Sequence, residues 1–212
     1  MTPTELNKSL TILLNDLLVD TGFARKRIGQ LKRKENECQQ FFTFYFSRER
    51  FSNCYSLTSS LVFSFPEVDR LTIQFLGKEY DKRLVTGAEP FYRVVPDSPV
   101  WKYKYSLDET LYPLAEMVAK DFCAYALPFY EKYNSLNKLE DYFDRLLRGE
   151  IKMEFRIVNT DKQGKGSGCC IAAVLCILEK WDELRLFLEE LKETDWLLDE
   201  NRERINEYIP IL

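Results

Sequence analysis

A glycine-rich segment, Gly164-Lys165-Gly166-Ser167-Gly168, is the part of the sequence that most resembles a phosphate-binding loop. It lies between a possible strand and a predicted helix, and the free N–H groups at a helix start attract anions. The P-loop pattern, however, requires Gly-x-x-x-x-Gly-Lys followed by Ser or Thr. Here Lys165 precedes Gly166 and Ser167, so the spacing differs. A flexible connector without a ligand is the alternative interpretation.

Two adjacent cysteines, Cys169 and Cys170, open the helix that follows this loop. A helix N-terminus can lower a thiol pKa and so favour a nucleophilic thiolate. The helix is apolar on nearly every face, which predicts burial, and buried cysteines act as small hydrophobic residues. We therefore predict a structural role. The six cysteines form no CxxC pair and lack zinc-ligand spacing, so we expect reduced thiols.

The chain of 212 residues contains no histidine. This absence excludes Ser-His and Cys-His couples, a histidine general base and zinc ligation by histidine. Asp, Glu, Lys, Tyr or Cys can still catalyse, so the absence argues against an enzyme without forbidding one. We predict no catalytic residue, no metal site and no cofactor.

The densest group of basic residues lies between positions 25 and 34, and it comprises Arg25, Lys26, Arg27, Lys32, Arg33 and Lys34. On a strand and its following turn, several of these side chains would present donors to phosphate or to an acidic protein. The candidate ligand-binding residues are therefore Arg25, Arg27, Lys32 and Arg33, together with Lys165 and Ser167 of the glycine-rich segment. The alternative is a solvated edge strand, where Lys and Arg prevent edge-to-edge aggregation.

Charge is distributed unevenly around a net value of −4. Residues 1–50 carry nine Lys and Arg against six Asp and Glu, whereas residues 179–207 carry eleven acids against five bases. The net charge argues against broad nucleic-acid binding. The acidic helices could instead meet a basic protein partner through Glu189, Glu190 and Glu193, although a charge-rich helix face can also be merely solvated.

The order of the hydrophobic patterns predicts an α+β fold, with an N-terminal helix, an antiparallel meander and a mostly helical C-terminal half. Leucines at spacings of three and four predict the first helix over residues 4–21. Strands are predicted over residues 23–33, 38–48, 55–65 and 71–76, with further extended segments over 91–95 and 100–105. Helices are predicted over 107–133 (interrupted near Pro128), 136–148, 169–181, 182–194 and 199–208.

Length and composition predict one α+β domain over residues 1–212, with helix and sheet in 1–106 and a mainly helical layer in 107–212. The longest apolar stretch, Cys169 to Leu178, is too short to cross a bilayer, and no secretory signal is visible at the N-terminus. We therefore expect a cytoplasmic protein that is not embedded in a membrane.

The first third of the chain also resembles an uncharacterised bacterial domain family. The matching residues, within about 5–65, are Leu10, Leu14, Leu17, Gly22-Phe23, Lys26, Gln39-Gln40-Phe41-Phe42 and Ser47. Members of that family begin with a helix, continue through a Gly-Phe step and run into a strand meander. Some small bacterial proteins of this kind look like antitoxin or immunity proteins, so the resemblance implies such a role.

Two hypotheses about function follow. The first is a non-catalytic protein-interaction protein that recognises a partner through its sheet edge or its acidic helices. The second is a small anionic-ligand binder, or an enzyme, that uses the basic cluster and the glycine-rich segment.

Overall fold

The computed structural model of the chain describes residues 2–50, 54–79, 85–96, 103–106, 110–157, 167–191 and 196–210. Within these ranges the helices are α1 (Pro3–Leu17), α2 (Pro66–Phe75), α3 (Phe91–Val94), α4 (Leu111–Asp121), α5 (Leu127–Lys132), α6 (Leu136–Leu147), α7 (Ser167–Ile177), α8 (Trp181–Glu190) and α9 (Asp199–Asn206). A 3-10 turn (Val19–Thr21) follows α1, and a π-helical turn (Phe122–Ala126) joins α4 to α5.

Among the described residues, seven strands form one antiparallel sheet. They are β1 (Ala24–Arg27), β2 (Gln30–Glu35), β3 (Cys38–Arg48), β4 (Cys54–Ser64), β5 (Gly87–Pro90), β6 (Lys104–Ser106) and β7 (Arg156–Ile157). The strand order is β1-β2-β3-β4-β5-β7, and β6 pairs with β4. The predicted α+β class, with its N-terminal helix and antiparallel meander, is therefore confirmed.

Helix α1 begins one residue before its predicted start and ends at Leu17, and a 3-10 turn covers the last residues of the predicted helix. The Thr2 hydroxyl accepts a hydrogen bond from the Glu5 amide, and the Glu5 carboxylate accepts from the Thr2 amide, which forms a capping box. Leu10 and Leu14 are fully buried on the leucine stripe. After the 3-10 turn, Gly22 adopts a φ of 76°, a left-handed conformation that favours glycine at a helix end.

A row of polar side chains one turn apart also attaches α1 to the strands. The Asn7 side-chain oxygen accepts from the Phe46 amide at 2.9 Å, and the Asn15 oxygen accepts from the Arg25 amide at 2.8 Å. Between them, the Thr11 hydroxyl accepts from the Gly29 amide at 2.9 Å. These bonds satisfy backbone donors that would otherwise lack a partner.

The strand predicted over residues 23–33 is wrong in one respect, because the segment forms two strands and a tight turn. β1 pairs antiparallel with β2 through Arg25 and Leu31. Gly29 in the turn has a φ of 74°, and a β-carbon there would lie 2.5 Å from the Phe44 carbonyl oxygen. Glycine is therefore required for this reversal.

Two other strand predictions are also wrong. Residues 71–76 belong mostly to α2, which begins at Pro66 with Glu67 and Asp69 in its first turn. Proline at the first helical position and early carboxylates favour a helix start. Phe91–Val94 forms the short helix α3 after Pro90. The interruption predicted near Pro128 is a π-helical turn directly before that residue, and the chain then continues as helix α5 to Lys132.

The chain divides into two compact units. Unit 1 comprises residues 1–35, 39–62 and 89–132, and in it α1 packs against α4 and the β1–β2 hairpin. Unit 2 comprises residues 36–38, 63–88 and 133–212. In unit 2, α7 packs against α2, α6, α8 and α9. The single domain over residues 1–212 stays a prediction.

Two absences hold for the part of the chain that the structure describes. No helix there combines the length and the apolar character needed to cross a membrane. Those same residues contain no group of three or more Cys, Asp or Glu side chains arranged to hold a metal ion.

Candidate functional site

A groove in unit 2 lies between helices α6, α7 and α8. Its volume is about 420 Å³, which is within the range typical of ligand pockets. The residues that line it are Glu140, Phe143, Asp144, Leu147, Arg148, Ile171, Val174, Leu175, Lys180, Glu183, Leu186, Phe187 and Glu190. The groove therefore combines an apolar lining with charged side chains.

Helix α7 supplies the base of this groove because its sequence is apolar on almost every face. Every residue from Ser167 to Cys176 is buried. Ile171, Val174 and Leu175 reach the groove from this helix. Helices α6 and α8 both pack against α7.

Helix α8 places one leucine outside its buried stripe. Leu184, Phe187 and Leu188 are buried at helical spacing. Leu186 lies off this stripe, lines the groove and is 60% exposed. Across the groove on α6, Leu147 is 38% exposed. These two side chains offer apolar surface that a partner could cover.

At one position on the rim, Lys180 links the two outer helices. Its ammonium lies 3.0 Å from a Glu140 carboxylate oxygen on α6 and 3.0 Å from a Glu183 oxygen on α8. The hydrogen bonds to Glu140 and then to Glu183 raise the pKa of Lys180 above its ordinary value. Lys180 therefore remains charged and links α6 to α8 by ion pairs.

The rest of the rim is acidic. Arg148 pairs with Asp144 at 2.8 Å. Glu190, at the end of α8, is exposed and has no ion-pair partner in the described part of the chain. The residues that line the groove include four carboxylates and two basic groups. The excess negative charge favours an occupant that carries Lys or Arg beside its apolar side chains.

The predicted partner-binding residues lie at this end of the molecule. Glu189 and Glu190 are exposed in the last turn of α8, and Glu190 lines the groove. Glu193 lies outside the described residues. The predicted acidic face and the groove therefore share one helix, although the sequence pattern identified only the charges.

The glycine-rich segment is only partly described. Lys165 lies outside the described residues, and Ser167 is buried as the first residue of α7. The Gly168 amide donates to the Trp196 carbonyl oxygen at 3.0 Å. A β-carbon on Gly168 would lie 2.9 Å from that oxygen, so the residues around Trp196 cover this helix start closely.

The thiols at the start of α7 are buried. Burial raises the pKa of Cys169 to about 12 and that of Cys176 to about 11. Burial also raises the pKa of Cys170, and the charge of Asp69 raises it further. These thiols stay protonated near neutral pH and are weak nucleophiles, in agreement with the predicted structural role.

The four basic candidates of the N-terminal cluster belong to unit 1, whereas Ser167 belongs to unit 2. The side chains of Arg25 and Arg27 are exposed on β1. Arg33 is engaged inside unit 1: its guanidinium donates to Gln40 at 2.8 Å and to the Thr21 carbonyl oxygen at 3.2 Å.

Lys32 is half-buried and lies on the opposite side of β2 from Arg33. Its ammonium donates to the Gln39 side-chain oxygen at 2.9 Å and lies 5.3 Å from the centre of the Phe41 ring. Lys32 and Arg33 therefore project from opposite faces of β2.

The sequence analysis did not predict the apolar residues of the groove. A helical wheel places Leu184, Phe187 and Leu188 together and leaves Leu186 on the charged side. A large aliphatic residue off the buried stripe was the available signal. Leu186 lines a groove only because α6 lies beside α8, where Glu140 pairs with Lys180. This proximity is seen in the fold and not in the sequence.

No family model, no curated protein and no solved structure matches this chain.

Proposed function

We propose that this chain is a non-catalytic interaction protein whose groove between α6, α7 and α8 binds an amphipathic, basic helix of another protein. The observation that carries the proposal is the exposed Leu186 beside the acidic rim. Helix-in-groove recognition uses apolar anchors on one face of a helix, and the groove offers an apolar base for them.

Charge complementarity determines the chemistry of the occupant. Glu190 is unpaired among the described residues, and the lining carries more carboxylates than basic groups. Lys or Arg flanking the apolar anchors would pair with this rim, steer the encounter and disfavour acidic partners. A neutralising role of the antitoxin or immunity type, which the N-terminal resemblance implies, is consistent with the acidic rim and stays a prediction.

Two substitutions on α8 test the groove. Leu186→Asp puts a charge on the apolar contact, so we expect partner affinity to fall about tenfold or more, equivalent to roughly 1.4 kcal/mol. Glu190→Lys alters one exposed charge, and we expect a smaller loss of about two- to fivefold. The measurement is quantitative capture of partner proteins from native lysate by each tagged variant, at low and at high salt.

Val19 provides the matched control, since it is 66% exposed, similar to Leu186, and lies in unit 1 outside the groove. A protein retained by the native chain and by Val19→Asp but lost by Leu186→Asp supports the proposal. Equal retention by Leu186→Asp would contradict it. High salt should weaken capture because the rim charges are exposed to solvent.

A further inference from the structure

The outer face of the β1–β2 hairpin in unit 1 gathers lysines from two strands. In β2, Lys32 and Lys34 alternate with Leu31, which is buried on the other face. Lys32 stands opposite Ala24 in the pairing, and a register shift between Arg25 and Arg27 interrupts the alternation of β1 at Lys26. Lys26 is nevertheless near enough for its charge to act on Lys32, as the charge of Lys34 does. Lys32 and Lys34 therefore share one face of β2, and Lys26 lies close to them on the neighbouring strand.

This surface continues onto β3. The contacts of Lys32 with Gln39 and with the Phe41 ring place these two side chains on the same face. Tyr45, four residues after Phe41 on the same strand, projects in the same direction and is 55% exposed. The lysines are thus bordered by an amide and by two aromatic rings.

The positive charge on this face is not neutralised within the described residues. Lys26, Lys32 and Lys34 have no carboxylate partner there. Glu35 projects to the opposite face of β2, where it lies 2.9 Å from Arg33. Desolvation, followed by the charges of Lys26 and Lys34, lowers the pKa of Lys32. Lys26 and Lys34 are therefore close enough to repel the Lys32 ammonium, and a bound anion would relieve that repulsion.

The spacing favours an anion with several charges. Residues two apart on a strand are separated by roughly 7 Å, and neighbouring strands by about 5 Å. A single carboxylate cannot contact three ammonium groups so arranged, whereas a chain of phosphates can. Lysine binds phosphate as a compact point charge without demanding one fixed geometry.

We propose that Lys26, Lys32 and Lys34 on the outer face of the β1–β2 hairpin bind a polyphosphate group, either free or carried by a nucleotide. In the nucleotide case, Phe41 and Tyr45 provide rings against which a base can stack. Arg33 takes no part, since its guanidinium is held on the other face of the hairpin.

The test is isothermal titration of the full chain with sodium triphosphate and, separately, with adenosine triphosphate. Lys26→Gln/Lys32→Gln/Lys34→Gln should weaken both affinities about tenfold or more. If Phe41→Ala weakens only nucleotide binding, a base is recognised; if it weakens neither, free polyphosphate is the ligand.

A matched control removes the same charge elsewhere. Lys8, Lys120 and Lys152 are exposed and lie outside this face, so their triple Gln variant should bind like the native chain. An equal loss in both triple variants, unchanged binding in the hairpin variant, or no binding by the native chain would overturn the proposal. The Lys26→Gln/Lys34→Gln variant, which alters only exposed side chains, serves if Lys32→Gln impairs folding.

Discussion

Replacing Phe155 by alanine will lower the free energy of unfolding by about 3–5 kcal/mol, the usual cost of removing a buried phenylalanine. Phe155 is 1% exposed. Its ring centre lies 4.8 Å from that of Phe63, 4.9 Å from that of Tyr133 and 4.9 Å from that of Tyr142. The substitution therefore leaves a cavity at the centre of the aromatic cluster of unit 2. Urea denaturation monitored by circular dichroism measures the change.

Tyr45→Ala is the control for this experiment, because Tyr45 is a large aromatic residue with an exposed side chain. We expect it to change the free energy of unfolding by about 0.5 kcal/mol or less. Phe155→Leu retains part of the volume and should fall between the two. A loss below about 1 kcal/mol for Phe155→Ala would mean that this cluster does not form the core of unit 2.

Replacing Asp69 by alanine will lower the free energy of unfolding by about 3 kcal/mol, since it removes two buried, charge-assisted hydrogen bonds. The Ser64 hydroxyl donates to the Asp69 carboxylate at 2.5 Å, and the Thr86 hydroxyl donates to it at 2.7 Å. Thr86 in turn accepts from the Phe65 amide at 2.9 Å. The substitution leaves these hydroxyl donors without an acceptor in a site where Asp69 is 1% exposed. Thermal and urea unfolding both report the loss.

Glu67 offers a matched control because it also lies in the first turn of α2 but is exposed. Glu67→Ala removes a favourable interaction with the helix dipole and should cost about 0.3–1 kcal/mol. Asp69→Asn keeps one acceptor and should be less harmful than Asp69→Ala. Equal effects of Glu67→Ala and Asp69→Ala would contradict the buried network.

The sequence predicted correctly those helices and strands whose local hydrophobic pattern favours the same structure as their packing in the fold. The N-terminal helix, β3 and α6 were placed within a few residues of their observed limits, because each has a strong apolar period and a terminal residue suited to its end. Helix α2 was missed because Leu71, Thr72 and Ile73 suggested a strand. The proline and the carboxylates at its start outweigh that preference.

The groove could not be predicted from any one segment of the sequence, because it is formed by helices that are separated along the chain. The charges of α8 were visible in the sequence, but α6 and α8 are separated by α7 along the chain. Only their packing brings Leu147, Leu186 and Glu190 to one cavity. Alternation along β2 could have separated Lys32 and Lys34 from Arg33.

Photo-cross-linking from position 186 identifies the segment that occupies the groove. Benzoylphenylalanine replaces Leu186 in the tagged chain, light is applied in native lysate, and the cross-linked peptide is identified by mass spectrometry. A second chain carries the same photo-reactive group at Val19, outside the groove.

We expect that position 186, but not position 19, cross-links to one segment of one protein. That segment should carry apolar residues at spacings of three and four with Lys or Arg between them. Cross-linking of the same protein from both positions, or cross-linking from position 186 to an acidic or non-helical segment, would contradict binding of a basic amphipathic helix in the groove.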